Sequence, residues 1–262
     1  KVLSLSKTKY NGKILELSVR NNEKIFCTPE HPFYNVDLTG LKEKGLRAVS
    51  KNPDKPINLI FSKIGELSKG DLLTSPVIKN KIDFETINPN RAKLLGIFAA
   101  EGCYSKKYNK RQSVIFTLGK TESKIADDIK SIFEEEFPEC SLIIRPQPER
   151  SVITITATGK NITEYFYHHV GEMSHEKKLS KELVFHSDEN VKKSFISGWL
   201  DGDGCLSGYN KLVGITVSPH LAYQVKTMLN SMEIGNSLRK INISNKKMKM
   251  KIRIRQNYIN RM

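Results

Sequence analysis

Two stretches of the chain resemble each other, and this internal repeat restricts the possible folds more than any other feature. The first stretch is LLGIFAAEGCYS, residues 94–105, and the second is ISGWLDGDGCLS, residues 196–207. At a constant spacing of 102 residues the following positions match: Gly96 with Gly198, Glu101 with Asp203, Gly102 with Gly204, Cys103 with Cys205, and Ser105 with Ser207. A repeat of this kind predicts two copies of one structural unit.

The patterns that follow each copy come in the same order. Each copy is followed by a strand-like segment, SVIFTL in the first half and LVGITV in the second, and then by a segment of helical periodicity. Strand-rich segments close both halves. The sequence therefore predicts an α+β fold in which each half runs helix, two strands, helix, two strands.

The repeat itself predicts a helix in each half, with small residues on one side. A glycine inside a helix costs about 1 kcal/mol relative to alanine, and close packing of two helix backbones would offset that cost. If the two helices pack about a pseudo-twofold axis, Glu101 and Asp203 come together at their C-terminal ends. The small residues are Gly96, Ala99 and Ala100 in the first copy and Ser197, Gly198 and Gly202 in the second.

Two carboxylates at the C-terminal ends of two helices are in an unfavourable electrostatic position, because the helix dipole is negative there. A divalent cation would relieve this, and oxygen ligands with few other donors favour Mg²⁺. For one copy alone, an acid that caps a turn before a glycine is the simpler interpretation. Two copies at matched positions favour the metal site.

The segment KMKMKIRIR, residues 247–255, alternates bases with apolar residues without interruption. In a strand this pattern places five cations on one face and methionine or isoleucine on the other. Lysines that protect an edge strand from pairing would explain one or two of them. Five favour an anionic partner along the strand, with the nucleic-acid phosphate backbone as the leading candidate.

The charge of the whole chain supports the same partner. The net charge is +15, and from residue 234 onward the chain has nine Lys or Arg and no acid. A membrane-surface partner would favour a basic amphipathic helix over a strand, and no apolar run is long enough to cross a bilayer. The four cysteines are widely spaced without a CxxC pair, so we expect neither a zinc site nor a disulfide framework, and we predict reduced, mostly buried thiols.

These motifs resemble those of the LAGLIDADG homing endonucleases, in the two-motif, single-chain, intein-encoded form. The resemblance rests on LLGIFAAEG and ISGWLDGDG. It implies a pseudo-twofold pair of αββαββ halves whose sheets lie in the major groove of double-stranded DNA. It also implies sequence-specific hydrolysis of both strands across the minor groove, leaving short 3′ overhangs. Glu101 and Asp203 would be catalytic, and together with Gly102 and Gly204 they would surround two or three Mg²⁺ ions at the helix ends.

The resemblance also implies a catalytic lysine. The run HEKKLSKELV, residues 175–184, is similar to the segment that carries this lysine in intein-encoded members, which indicates Lys177, with Lys178 as the neighbouring alternative. Such a lysine would stabilise charge on the phosphate or polarise the attacking water. A solvated lysine pair is an interpretation of equal weight, and no partner lysine is assigned in the second half.

DNA contacts are expected from basic residues on the strands and their connections. Most would bind phosphates and set the register, and some would read base edges. The candidates are Lys106, Lys107, Lys110, Arg111, Arg145, Arg150, Lys211, Arg239, Lys240, Lys247, Lys249, Lys251, Arg253 and Arg255.

The N-terminal part resembles the Hint domains of protein splicing. IFCTPEHPFY, residues 25–34, is similar to the T-x-x-H motif of that family at Thr28 and His31, and KIGELSKGDLL, residues 63–73, resembles a later Hint segment. Alone, a histidine between prolines is more often structural. The chain begins at Lys1 without a splicing nucleophile and ends without His-Asn. We therefore expect an incomplete Hint part, either a fragment of a longer intein or a decayed remnant, with no splicing by this chain alone.

Three domains are predicted: a mostly-β partial Hint domain at 1–80, a first LAGLIDADG half at 90–190 and a second, short half at 191–262, with a polar linker at 75–91. The leading hypothesis is a Mg²⁺-dependent homing endonuclease of intein origin. We expect it to act as a monomer in the cytoplasm or nucleus, wherever the host DNA lies, and not at a membrane. The alternatives are a non-catalytic DNA-binding module and a fragment of a splicing element.

Overall fold

The helices and strands follow the predicted α+β order. In the computed structural model the described residues are 6–19, 24–41, 45–51, 54, 56–74, 86–108, 110–207, 211–243 and 247–255, with the backbone alone described at 46, 242, 243, 247, 248 and 255. The helices among these residues are α1 (Leu46–Ser50), α2 (Pro89–Glu101), α3 (Ser123–Glu136), α4 (Ile162–Val170), α5 (Lys181–Val184), α6 (Glu189–Asp203) and α7 (Pro219–Ser231), with 3-10 turns at Ile64–Glu66 and Pro148–Arg150. The strands are β1 (Leu15–Ser18), β2 (Lys24–Cys27), β3 (Pro32–Val36), β4 (Leu59–Lys63), β5 (Gly102–Lys107), β6 (Lys110–Gly119), β7 (Ser141–Gln147), β8 (Val152–Thr158), β9 (Gly204–Leu206), β10 (Lys211–Thr216), β11 (Asn236–Ile243) and β12 (Lys247–Arg255).

The chain divides into two compact units, Lys1–Pro76 and Val77–Met262. The first unit is mostly β: β1 pairs with β2, and β3 pairs with β4, both antiparallel. Of the predicted linker, residues 75–85 lie outside the described part of the chain. None of the described helices is long and apolar enough to cross a bilayer.

The second unit contains both copies of the repeat, and each copy begins the same series of elements. Helix α2 is followed by β5, β6, α3, β7 and β8, and α6 is followed by β9, β10, α7, β11 and β12. Each half forms an antiparallel sheet in the same spatial order, β5-β6-β8-β7 in the first and β9-β10-β12-β11 in the second. The predicted order of helix, two strands, helix, two strands is confirmed in both halves.

The local sequence explains where the long helices begin. The side chain of Asn88 accepts a hydrogen bond from the backbone N–H of Arg91 at 2.9 Å, just ahead of Pro89 in the first turn of α2. Asp188 and Ser218 cap α6 and α7 in the same way. Each cap satisfies an N–H that has no partner inside its helix, and each fixes the direction in which the chain enters the core.

One hydrophobic core joins the helices of the second unit to one side of each sheet. The ring of Phe98 on α2 lies 5.8 Å from that of Phe116 on β6 and 4.9 Å from that of Phe166 on α4, measured between centroids. In the second half, Trp199 of α6 is fully buried. A Cβ on Gly214 of β10 would lie 2.3 Å from its indole ring, so the glycine makes room for the tryptophan. The helices thus cover one side of each sheet.

The strand β12 confirms the predicted alternation and lies inside its sheet. Met250, Ile252 and Ile254 are 1%, 0% and 1% exposed, so the apolar side faces the core. The strand is hydrogen-bonded to β11 on one side and to β10 on the other. Protection of an edge therefore does not explain its lysines.

The prediction that the cysteines are mostly buried is wrong. The cysteines are free, as expected, but Cys103 and Cys205 are exposed, while Cys27 and Cys140 are partly exposed. Each exposed thiol belongs to the second residue of the strand that follows a repeat helix. Side chains alternate along a strand, so these two point away from the core.

Candidate nucleic-acid and metal site

The two repeat helices, α2 and α6, pack through backbone contacts that are reciprocal. A Cβ placed on Gly96 would lie 2.1 Å from the carbonyl oxygen of Phe195, and one on Gly198 would lie 2.2 Å from that of Lys93. With the repeat spacing of 102 residues, Lys93 is equivalent to Phe195 and Gly96 is equivalent to Gly198. The two contacts are therefore equivalent under a pseudo-twofold operation, and glycine alone fits at either position.

Both helices end at this interface and turn directly into strands. A Cβ on Gly202 would lie 2.6 Å from the Cβ of Ala100 and 3.1 Å from Oε1 of Glu101, so the two C-terminal ends lie together. Gly102 and Gly204 follow in extended conformation, with φ of −94° and −97°. A Cβ on them would lie 2.0 and 2.1 Å from the preceding helical turn, which gives both glycines a steric role. Their role around metal ions stays a prediction.

The two motif acids concentrate negative charge at these ends. The indole N–H of Trp199 donates a hydrogen bond to Oδ2 of Asp203 at 3.2 Å. Burial, and then the charge of Glu101, raise the pKa of Asp203 to about 6, while the charge of Lys177 opposes the rise. Burial also raises the pKa of Glu101, and the charge of Glu122 adds to this. The protein's own groups thus compensate the two carboxylates only in part.

Lys177 is a buried cation of this site. It is 4% exposed, and its Nζ donates to the carbonyl oxygens of Ala99 and Phe98 at 2.7 and 3.4 Å. Those carbonyls end α2, where the helix dipole attracts a cation. Burial lowers the pKa of Lys177, and the charge of Asp203 opposes this most strongly. The interpretation of Lys177 and Lys178 as a solvated lysine pair is therefore wrong for Lys177. Lys178 is exposed.

The segment that carries Lys177 is held by the second half. The hydroxyl of Ser218, a fully buried residue at the start of α7, donates to the carbonyl oxygen of Lys177 at 2.6 Å. The amide of Gln224 on α7 accepts from the N–H of Leu179 and donates to its carbonyl oxygen, both at 2.7 Å. Because Lys177 reaches α2 while its backbone is bound to α7, it connects the two halves at the site.

The donor set fits a metal ion that is held mainly by a substrate and water. Mg²⁺ typically takes one or two protein carboxylates and completes its shell with water and phosphate oxygens. Within the described ranges, no group of three or more His, Cys, Asp or Glu side chains could hold a metal ion. Glu101 and Asp203 therefore fit a hard divalent ion shared with a phosphate, and not a closed structural metal site.

The side of the second sheet that points away from the helices, which we call open face 2, is basic. The charge of Lys249, which belongs to this basic row, lowers the pKa of Asp203. Backbone register continues the row to Lys211, Lys247 and Arg255, although the side chains of the last two are outside the described atoms. Strand register defines open face 2 as Cys205, Val213, Ile215, Ser237, Arg239, Ile241, Lys249, Lys251 and Arg253.

The corresponding side of the first sheet, open face 1, has a different chemistry. Hydroxyl and methyl groups dominate it, and Arg145 is the cation among its members. The hydroxyl oxygens of Ser105 and Ser113 are joined by a hydrogen bond of 2.5 Å. Strand register defines open face 1 as Cys103, Ser105, Ser113, Ile115, Thr117, Gly119, Ser141, Ile143, Arg145, Gln147, Val152, Thr154, Thr156 and Thr158.

Three of the predicted DNA-contacting residues lie elsewhere, and Lys240 is the first. It is in register with Met250, a core residue, whereas its neighbour Arg239 is in register with Lys251 on open face 2. Lys240 therefore points to the helix side of the sheet. Other predicted contact residues are exposed where predicted: Lys107, Lys110, Arg145, Arg150 and Lys211.

Lys106 and Arg111 are the other two, because both are paired inside the protein. Both form ion pairs with Glu172, and Arg111 forms a second one with Glu164 at 3.0 Å. The guanidinium carbon of Arg111 also lies 3.7 Å from the centroid of the Tyr167 ring. These two cations hold the β5–β6 hairpin against α4 and do not belong to open face 1.

In the first unit, Thr28 and His31 share a turn between β2 and β3. The backbone N–H of His31 donates to the carbonyl oxygen of Thr28 at 3.1 Å, and the imidazole packs edge-on against Phe33 at 5.2 Å. This brings together the two residues of the predicted T-x-x-H motif. A role in splicing stays a prediction.

The residues that hold the site in place were not predicted from the sequence. Trp199 precedes Asp203 by four residues, and that spacing alone would have placed both on one side of a helix. Ser218 before Pro219 indicates a helix start. Its bond to Lys177 joins residues 41 apart, and no local pattern indicates it.

Comparison with known proteins agrees with this geometry. Residues 190–262 match the family model of the LAGLIDADG-like domain. Among solved structures, mesophilic variants of the homing endonuclease I-DmoI are similar to the chain, with a TM-score of 0.50 and 13% identity over 66% of this chain and 92% of that one. This likeness shows a shared mixed α+β fold.

The chain is also similar to segments of larger proteins. It is 24% identical over 168 residues to the ATP-dependent DNA helicase Hel308 of Thermococcus kodakarensis, covering 62% of this chain and 14% of that protein. It is 26% identical over 218 residues to the replication factor C small subunit of Methanocaldococcus jannaschii, covering 78% of this chain and 11% of that protein. The chain thus spans a small part of these relatives.

Proposed function

We propose that the chain is a site-specific, divalent-metal-dependent DNA endonuclease that hydrolyses phosphodiesters on both strands of a long double-stranded target. The observation that carries this proposal is the meeting of Glu101 and Asp203 at the shared ends of α2 and α6, beside the cations of open face 2. Partly compensated carboxylates suit a metal and a phosphate, and a basic strand suits the DNA backbone.

In this proposal each motif acid serves one DNA strand. A bound Mg²⁺ would neutralise phosphate charge and lower the pKa of the attacking water. Glu101 and Asp203 would hold the ions from two helices whose separation is set by backbone contacts. The oxygen of water forms a bond to phosphorus, the bond to the 3′ oxygen breaks, and the products carry a 5′-phosphate and a 3′-hydroxyl on a short 3′ overhang.

Lys177 stabilises the negative charge that develops on the phosphate oxygens. Its burial against the end of α2 and its links to α7 keep the ammonium near both acids. For the second half, whose lysine the sequence left unassigned, we propose Lys249, which strand register places on open face 2 and whose charge lowers the pKa of Asp203. The two lysines then come from different elements, a connecting segment and a strand.

An intein origin is the finer part of the proposal. A helicase and a replication factor subunit have different names and activities, yet the chain aligns with 14% of one and 11% of the other. A segment shared by otherwise different proteins is what an inserted element is expected to produce. The turn that joins Thr28 and His31 agrees with a splicing-domain remnant in the first unit. The enzyme would then act on host DNA, wherever in the cell that DNA lies.

A non-catalytic DNA-binding protein is the second candidate, and open face 2 is the observation that favours it. That face needs no metal to bind phosphates. The two acids serve no purpose in simple binding, because they repel DNA. Their presence at both matched positions favours catalysis.

The test is selection of cleaved molecules from a plasmid library that carries a randomised insert, incubated with the full chain and Mg²⁺. We expect linear product from a defined sequence family. Glu101→Gln and Asp203→Asn should each abolish double-strand cleavage or convert it to nicking. Glu134→Gln, which removes an exposed acid of α3, is the control and should cleave normally. If the native chain retains DNA with steep salt dependence but cuts no sequence, the binding protein replaces the nuclease.

A further inference from the structure

The two open faces carry different side-chain chemistry at equivalent positions. On open face 1, register aligns Ile115, Thr156 and Ile143 across three neighbouring strands, and Ile143 is 43% exposed. The next row contains Thr154 and Arg145. Methyl groups therefore form the centre of this face.

On open face 2 the central rows are cationic. Arg253 lies beside Ser237, and Lys251 lies beside Arg239. Lys249 continues the same alternation on β12, in register with Ile241. On this face Val213 is buried and Arg239 is exposed. Lys249, Lys251, Arg253 and the two isoleucines are partly exposed.

These two surfaces recognise different base edges in a major groove. The thymine C5-methyl is the apolar feature of that groove, and isoleucine or threonine methyl groups contact it. Arginine and lysine bind the O6 and N7 acceptors of guanine, and they also bind phosphates. Thymine presents one acceptor, O4, together with its methyl group, whereas guanine presents two acceptors and no methyl group. A row of cations therefore favours guanine, and a row of methyl groups favours thymine.

We propose that the DNA target is asymmetric, with a thymine-rich half-site read by open face 1 and a guanine-containing half-site read by open face 2. This rests on the proposed function, because it deepens the substrate of the same site. Both sheets begin directly after a motif acid, so each face lies over one side of the cleavage point. Lys107 and Lys110, exposed at the tip of the β5–β6 hairpin, bind the phosphates that flank the thymine-rich half.

The test begins with selection of bound duplexes from a randomised library, using the full chain with Asp203→Asn so that binding is measured without double-strand cleavage. We expect one half of the selected site to be rich in A·T pairs and the other to contain guanines. Thymines are then replaced by deoxyuridine, which lacks the methyl group, in one half-site at a time. Replacement in the A·T-rich half should weaken binding roughly two- to fourfold for each methyl contacted, and replacement in the other half should not.

A double substitution assigns the effect to open face 1. In Ile143→Ala with Thr156→Ala, the penalty for deoxyuridine should disappear, because the partner methyls are gone. Arg239→Gln on open face 2 is the matched control: it should weaken both duplexes equally and leave their ratio unchanged. Circular dichroism checks that each variant is folded.

Each remaining outcome contradicts the proposal. Half-sites of equal composition, a deoxyuridine penalty shared by both halves, or a penalty that persists in the double variant would overturn the asymmetric target alone. A chain that binds or cuts DNA in such a case keeps its proposed function. A chain that retains no DNA from the library loses both.

Discussion

The two sheets of the second unit have the same strand order but different outer surfaces. Both begin at a glycine after a motif acid, and both bury their inner side against the repeat helices. Open face 1 carries isoleucine, threonine and serine, whereas open face 2 carries a row of lysine and arginine. The shared features are those that the core requires, because inward positions must fill a common interior. Outward positions have no such constraint and differ according to what they contact.

The largest expected effect tests the shared part of this comparison. Gly96→Ala and Gly198→Ala should each lower the free energy of unfolding by about 3 kcal/mol or more, because the new Cβ overlaps a carbonyl oxygen of the other helix. Without that contact, the same change in a helix would add about 1 kcal/mol. Urea denaturation of the two variants measures the difference. Effects that differ by more than about 2 kcal/mol, beyond the usual context dependence, would contradict equivalent packing of the two halves.

The next effect tests the difference between the faces. Replacing Lys249, Lys251 and Arg253 with glutamine should weaken binding of the selected duplex roughly 100-fold at 0.1 M salt and reduce the log–log salt slope by about 2.7. Arg145→Gln on open face 1 should reduce the slope by about 0.9. Fluorescence anisotropy over a salt series, without divalent ions, measures both. A slope change per charge that is much smaller on open face 2 would show that its cations do not lie on the duplex.

A smaller effect compares the two motif acids. The fold raises the pKa of Asp203 to about 6, above its value in the unfolded chain. At a pH between these two pKa values, the folded state keeps a proton on Asp203 that the unfolded state has lost. Stability due to this group is therefore highest at acidic pH and falls as pH rises through about 6. Asp203→Asn should raise the free energy of unfolding by about 1 to 2 kcal/mol at pH 7.5 in EDTA, and by nothing below about pH 4.

Thermal unfolding from pH 4 to 8 measures this, and Glu101→Gln should change stability in the same direction. Mg²⁺ should raise the Tm of the native chain more than that of either variant, because the ion binds the two ionised carboxylates. A gain that is independent of pH would mean that the removed charge is not the cause.

The smallest effect compares neighbouring residues on one strand. Arg239→Gln should weaken DNA binding several-fold, whereas Lys240→Gln should leave it within about twofold, because the two side chains lie on opposite sides of β11. Both changes remove one positive charge, so long-range attraction is affected equally. Equal losses of affinity would indicate that register does not decide which cations contact DNA.

The sequence predicted the elements well because periodicity is a local property. The alternation of β12 and the apolar faces of α3 and α7 follow directly from spacing. Lys240 was wrongly assigned to the DNA-contacting face. The sequence of β11 does not alternate regularly between polar and apolar residues, so residue type alone did not indicate which side of the sheet Lys240 faces. Arg111 was misplaced because its partner Glu172 lies 61 residues away. The cysteines were predicted to be buried because a small apolar thiol usually is. In this fold Cys103 and Cys205 each take the second position of a strand that follows a repeat helix, and that position faces away from the core.

The site was predictable to the extent that it repeats. Glu101 and Asp203 came from the matched copies, and Lys177 came from a resemblance that did not distinguish it from Lys178. Only burial distinguishes the two, since one ammonium lies against the end of α2 and the other faces water. The hydrogen bonds from Ser218 and Gln224 depend on how the two halves pack, and the local sequence around either residue cannot predict that packing.

The reciprocal glycine contacts between α2 and α6 have a consequence for how such a chain can change. The separation of the two acids is set by main-chain atoms, which are the same in every residue, and not by side chains that mutation can resize. The outer faces of the sheets can be rewritten residue by residue while that separation stays constant. Under the proposed function, a descendant of this protein could acquire a new target sequence while the stagger between its two cuts stays unchanged.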